Sequence, residues 1–264
     1  MKRSLILVAV LAVVTVGAAQ AITYGEPDGS RHPSTGALIF LSPSRGEYRI
    51  TCTGSLISPT VFLTASHCTS FLESNGISDV WVTFDQNFSQ SSKLLHGSMH
   101  TNPLYNQTQS DPQDIAVVTL DKPVKGIAPV DLPTAGLLDQ MKRAGTLNGT
   151  RFTSVGYGNQ EATNAPGGPV FSFTGERRYA IGEFNSLTDV WLKISQTATT
   201  GEGGTCNGDS GGPQFLGAGS AETTTQVSIT IIGDALCKAT NVDYRLDTRQ
   251  ARAFLGEFVS LPGA

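Results

Sequence analysis

No part of this 264-residue sequence is strongly basic: 18 Lys and Arg stand against 22 Asp and Glu, a formal net charge of −4. A nucleic-acid surface needs a concentrated positive face, so nucleic acid is not expected as a partner. Long apolar runs are lacking too. The run from Leu5 to about Val16 is short of the roughly 20 residues that span a bilayer. There is no internal repeat and no low-complexity tract. Histidine is scarce, at 4 residues, which limits both metal and base chemistry. His96 and His100 have the i, i+4 spacing that can hold zinc on a helix. The surrounding "KLLHGSMHTNP" contains glycine and proline and offers no third ligand, so both are read as surface histidines. Neither a metal nor an organic cofactor is expected.

What is present begins with a leader. "MKRSLILVAVLAVVTVGAAQA" runs from two cations through an apolar stretch to Ala19-Gln20-Ala21, the order of a secretory signal peptide with its small-residue cleavage site. Cleavage after Ala21 removes Lys2 and Arg3, takes the charge from −4 to about −6 and leaves a secreted chain beginning at Ile22, with no membrane attachment. The 4 cysteines, an even number in an exported protein, suggest two disulfides, for which counting alone permits three pairings. "NFS" at Asn87, "NQT" at Asn106 and "NGT" at Asn148 are glycosylation sequons in a glycosylating host and turns otherwise.

Short apolar-alternating runs separated by turn residues fill the rest. "GALIFL", "RITCTGSLI", "VFLTAS", "DVWVTF", "DIAVVTL", "RFTSVGYG", "DVWLKIS" and "QVSITIIG" read as strands, which argues for an all-β sandwich or barrel pair. The proline-rich passage 121–136 separates two groups of them. It divides the chain into an expected unit over 22–133 and a second over 134–264. Near the C-terminus, Ala251, Phe254, Leu255, Phe258 and Val259 share one face of a helix that Asp247 or Thr248 could cap.

The chemistry centres on "GEGGTCNGDSGGPQF", residues 201–215, where six glycines surround Ser210. Glycine is costly unless the backbone needs unusual torsions or close approach. The stretch is therefore either a loose surface turn or a backbone built around the serine. A serine hydroxyl needs a base to take its proton and a third group to orient that base. Of His32, His67, His96 and His100, His67 in "LTASHC" follows an apolar strand and precedes Cys68. Asp114 stands at the mouth of the strand "DIAVVTL", whereas Asp111, before Pro112, suits the turn. The chain order is thus His67, Asp114, Ser210. α/β-Hydrolases run Ser, acid, His and subtilisins Asp, His, Ser; the chymotrypsin arrangement runs His, Asp, Ser.

"LTASHC", "DIAVVTL" and "CNGDSGGP" together resemble the active-site signatures of the trypsin/chymotrypsin family of secreted serine proteases. The resemblance implies two six-stranded antiparallel barrels with the active site between them. It gives the Gly208 and Ser210 N–H groups the role of an oxyanion hole. It pairs the ammonium of a new N-terminus at Ile22 with Asp209, and it pairs Cys52 with Cys68 and Cys206 with Cys237. The substrate side-chain pocket falls to Gly204, Thr205, Gly233 and Val242. The family's aspartate at the floor of that pocket is replaced by Gly204, and its Ser-Trp-Gly by Ile231-Ile232-Gly233. An uncharged pocket for a small or medium residue is therefore expected. The implied partners are protein or peptide substrates and protein protease inhibitors. The rival readings are a protease-fold binding protein without catalysis and an esterase on the same scaffold.

Overall fold

The structure is a computed structural model that describes residues 22–263; the expected signal peptide, 1–21, lies outside the described residues. A short strand β1 (Glu26–Pro27) precedes β2 (Thr35–Leu41), β3 (Tyr48–Ser58), β4 (Val61–Thr64), β5 (Val80–Thr83), β6 (Leu95–Thr101) and β7 (Ala116–Leu120). Beyond the proline-rich passage come β8 (Arg151–Gly156), β9 (Ala162–Ala165), β10 (Gly168–Phe171), β11 (Arg178–Leu187), β12 (Trp191–Ser195), β13 (Pro213–Leu216), β14 (Gln226–Gly233) and β15 (Thr240–Arg245). Three α-helices stand among the described residues: α1 (Ser66–Ser74), α2 (Leu137–Arg143) and α3 (Arg249–Leu255).

The strands close into two six-stranded antiparallel barrels, as the resemblance implied: β2-β3-β4-β7-β6-β5 and β11-β12-β15-β14-β13-β8, with β8 pairing back onto β11. Closure leaves neither barrel with an open edge. Alternation along the strands sends Leu38, Leu56, Phe62, Val80, Val82 and Val118 into the first interior, all fully buried. Phe152, Leu192, Ile194 and Val227 pack in the second, capped by Leu138 of α2 and Leu147. α1 was not foreseen: "LTAS" reads as strand, but the chain turns at Ala65 and coils from Ser66.

The ends of the described chain cross over. β1 pairs with β11 of the second barrel, although it opens the segment assigned by sequence to the first unit. At the other end Thr248 caps α3, its side chain accepting the Ala251 N–H at 3.2 Å. The buried face of α3 is Ala251, Phe254 and Leu255, and beyond it the Phe258 ring packs 5.1 Å from His100 on β6 of the first barrel.

A buried polar knot joins the barrels where β1 crosses. Arg177 donates from Nε to Asp28 (2.7 Å) and from its two terminal nitrogens to the carbonyls of Thr35 (3.1 Å), Phe84 (3.0 Å) and Gly29 (3.1 Å). His32, sequestered rather than free as a base, is hydrogen-bonded at Nδ1 to Asp28 and at Nε2 to Glu222 (2.6 Å). Burial alone would lower its pKa, but the two carboxylates outweigh burial and raise it. No helix among the described residues is long and apolar enough to cross a membrane.

Candidate active site

His67 is the second residue of α1, and the turn that launches the helix aims it at Asp114. Both oxygens of Asp114 are used: Oδ1 accepts the His67 backbone N–H and Oδ2 bonds the ring Nδ1, each at 2.8 Å. This double clamp fixes both ring position and tautomer, since Nδ1 must carry the proton to meet a carboxylate, leaving Nε2 as the acceptor. Asp114 is only 2% exposed. Ser66 braces the pair, donating to the Ile115 carbonyl (2.7 Å) and accepting the Asn102 N–H (3.1 Å). Asp111 serves the turn as expected, accepting the Gln113 N–H (3.0 Å) and also the Tyr244 hydroxyl (3.1 Å). Tyr105 stands close enough for burial and the Asp114 charge to push its phenol up to about 12.

Ser210 reaches this pair through the first barrel. Its carbonyl accepts the Thr53 N–H at 3.0 Å. The neighbouring Cys52 is disulfide-bonded to Cys68, the residue after His67. Cys68 Sγ lies 4.0 Å from the Ser210 carbonyl oxygen. A ring nitrogen of His67 and the two sulfurs all fall within 4.8 Å of one another; the sulfurs are bonded together and so are not thiolate ligands. The disulfide therefore lies between the Ser210 backbone and the first turn of α1, which carries His67. The second disulfide, Cys206–Cys237, also has the expected pairing and ties the nucleophile turn to the loop after β14.

The glycines around Ser210 form a built backbone. Gly208 has φ +100 and Gly211 φ +80, torsions that strain any side chain. A Cβ on Gly211 would also stand 2.3 Å from Thr64 Oγ1. The Asn207 carbonyl accepts the Asn159 N–H (2.7 Å) and the Asp209 carbonyl accepts the Gly212 N–H (2.8 Å). In a trans peptide the N–H points opposite the carbonyl, so both contacts turn the next residue's N–H away from these partners. Neither the Gly208 nor the Ser210 N–H has a hydrogen-bond partner among the described residues, whereas those of Asp209, Gly211 and Gly212 are all taken. Two free donors beside a serine are suited to receive a developing oxyanion.

Asp209 is wholly buried; its carboxylate accepts the N–H groups of Gly158 (2.7 Å) and Cys206 (2.8 Å). Burial pushes it up to about 7. Ile22 is also buried, and no cation among the described residues acts on Asp209. Thr23 is paired with Gly204, its carbonyl accepting the Gly204 N–H at 3.0 Å.

The side-chain pocket differs from expectation at one wall. Gly233 pairs with Asn241 and Ile232 with Val242. Asn241 and Asp243 are buried, while Val242 alternates onto the opposite face with Ile232, which is 62% exposed. The β15 residues on the Gly233 side are thus Asn241 and Asp243 rather than Val242. Gln196, unremarked in the sequence, sits against Gly204. No motif marks it; only the end of β12 facing β15 brings it there.

A profile of the Trypsin family matches residues 26–252. The chain is similar to a trypsin of Saccharopolyspora erythraea, 32% identical over 195 residues, covering 70% of this chain and 77% of that one. It is also similar to the kallikrein 1-related peptidase b27 of Mus musculus, 25% identical over 61% of this chain and 64% of the relative. A third relative is glucanase inhibitor protein 4 of Phytophthora infestans, 30% identical over 61% of this chain and 60% of the relative.

Proposed function

Because the chain belongs to the trypsin family, we propose that it is a secreted serine endopeptidase that cleaves peptide bonds through an acyl-enzyme. The observation that carries this reading is the doubly bonded His67–Asp114 clamp, on a turn whose Cys52–Cys68 bridge reaches the Ser210 carbonyl. Ser210 Oγ attacks the scissile carbonyl while His67 Nε2 takes its proton. The carbonyl oxygen becomes an oxyanion between the N–H groups of Gly208 and Ser210. His67 then returns the proton to the leaving amine, and water, activated by the same imidazole, releases the acyl group. Asp114 holds the imidazole and stabilises it when charged. Ile231, standing where the family has a serine, supplies no hydroxyl to Asp114; the His67 backbone N–H already occupies one carboxylate oxygen.

Export follows from the leader and fits the two disulfides. The new ammonium at Ile22 would then neutralise Asp209. The substrate side chain before the scissile bond is read as small or medium and uncharged.

The relatives named glucanase inhibitors support a second reading, a protein-binding role without catalysis. A fluorophosphonate probe separates the two. The expected result is a single adduct on Ser210 of a chain starting at Ile22, with Ser210→Ala folded, unlabelled and without peptidase activity. A processed chain that refuses the probe favours the binding role; peptide hydrolysis by Ser210→Ala overturns the assignment. Hydrolysis of esters but not peptides would identify an esterase.

A further inference from the structure

Two stretches of chain beside the turn that carries Ser210 bound a filled recess. One wall is Gly203–Thr205, which leads into Cys206 and the nucleophile turn. The other is the end of β14 at Gly233, tied to the first by Cys206–Cys237. A side chain from the tip of β12 has entered it. Gln196 is fully buried. A Cβ on Gly204 would stand 2.1 Å from Gln196 Oε1 and 2.6 Å from its Cβ, so the amide occupies the space that the glycine leaves. On the opposite side, a Cβ on Gly233 would lie 3.7 Å from Gln196 Nε2 and 3.9 Å from the Thr205 carbonyl. Gln196 is therefore in van der Waals reach of both walls.

Its orientation is fixed. The backbone N–H bonds the Ala239 carbonyl at 3.0 Å, and Nε2 donates to Asp234 Oδ2 at 3.5 Å. The Asp234 carboxylate is itself anchored by several backbone N–H groups, that of Ala239 at 2.7 Å among them. Flipping the amide would set its oxygen against that carboxylate, so the oxygen stays on the Gly204 side. Asn241, on the Gly233 face of β15, is turned in the same way: Nδ2 donates to Asp243 Oδ1 at 2.7 Å. Two amides, each with its NH2 drawn to an aspartate, leave two buried oxygens, Gln196 Oε1 and Asn241 Oδ1, without a partner; Oδ2 of the buried Asp243 beside them is also without one. Buried acceptors left unsatisfied are destabilising and mark a place where a donor belongs.

Resting on the reading of Ser210 as the nucleophile, we propose that Gln196 is the specificity-determining residue of the substrate pocket. It closes the recess to long side chains and offers its amide oxygen to a short, uncharged, hydrogen-donating one. Serine or threonine at the residue whose carbonyl is attacked fits both demands. The loss of an acidic floor at Gly204 is thus paired with a filler contributed from β12.

The test is a panel of peptidyl coumarins differing only at that residue, with every protein first titrated by fluorophosphonate. The wild type should favour Ser, Thr and Ala over Leu, Phe, Lys and Arg. It should also take Thr over its isostere Val by about tenfold in kcat/KM, the worth of one neutral hydrogen bond. Gln196→Ala should raise Leu and Phe at least tenfold relative to Ala and bring the Thr-to-Val ratio to near one. Gln196→Leu, which refills the recess without the oxygen, should keep the bar against Phe and lose the preference for Thr. A labelled wild type that favours Phe, Leu, Lys or Arg, or a labelled Gln196→Ala with an unchanged profile, overturns the role of Gln196 while leaving the nucleophile intact. A wild type that takes no label overturns both readings at once.

Discussion

Asp209 is the most heavily penalised carboxylate beside the nucleophile, and its pH dependence can be worked out. It is wholly buried, has two backbone N–H partners and no cation among the described residues. Burial moves it from 3.8 to about 7. At about 1.4 kcal/mol per unit, keeping it ionised above that pH costs about 4 kcal/mol. Between about pH 4 and pH 7 the folded chain holds a proton that the unfolded chain has released. Stability therefore falls as pH rises through that window and stays low above it. The perturbation is Asp209→Asn, made with residues 20–21 retained so that Ile22 has no free ammonium, and with Ser210→Ala to prevent self-cleavage. Asparagine presents one NH2 to a backbone N–H, a loss of about 1–3 kcal/mol at every pH. The offset is pH-independent, so the difference in slope is the signal. Urea unfolding from pH 4.5 to 8 covers most of that window and should show the parent losing about 3 kcal/mol more than the variant. A parent trimmed to Ile22 should lose that excess. Parallel curves for parent and variant would refute the reasoning.

Two further outcomes follow from geometry. Arg177→Met removes a guanidinium that reaches Asp28 and three carbonyls at the barrel junction; urea unfolding in the Ser210→Ala background should register a loss of about 3–5 kcal/mol, and a change within about 1 kcal/mol would remove Arg177 from its bridging role. Gly208→Ala must hold φ +100 with its Cβ 2.9 Å from Gly158 Cα. Its circular dichroism should be retained while kcat falls about 100- to 1000-fold, as when one oxyanion donor is displaced; unchanged kcat would mean that this N–H does not meet the oxyanion.

The sequence carried the chemistry better than the packing. His67, Asp114 and Ser210 were singled out because a nucleophile needs a base and an orienting acid, and the structure joins the first two. Gly208 and Gly211 announced special torsions because glycine is otherwise wasteful there. The closed recess was not legible. Gln196 has no motif and enters through the pairing of β12 with β15. A register shift between Thr230 and Ile232 in β14 accompanies the alternation that puts Asn241, not Val242, on the Gly233 side. His32 gave no sign of being caged, because Glu222 lies 190 positions away in the chain. α1 escaped notice because its three buried polar or small residues, Ser66, Cys68 and Thr69, break the apolar period that betrays a helix.

The exchange of chain ends has a consequence for how the molecule matures. β1 is stitched to the second barrel, and Phe258, just past α3, is seated on the first. A chain made N-terminus first can roll up β2–β7, yet it cannot seat β1 until β11 has appeared, nor cover His100 until residue 258 is out. The ties between the two barrels are thus finished by the last residues to arrive. Until then each barrel is closed on itself but not yet pinned to the other.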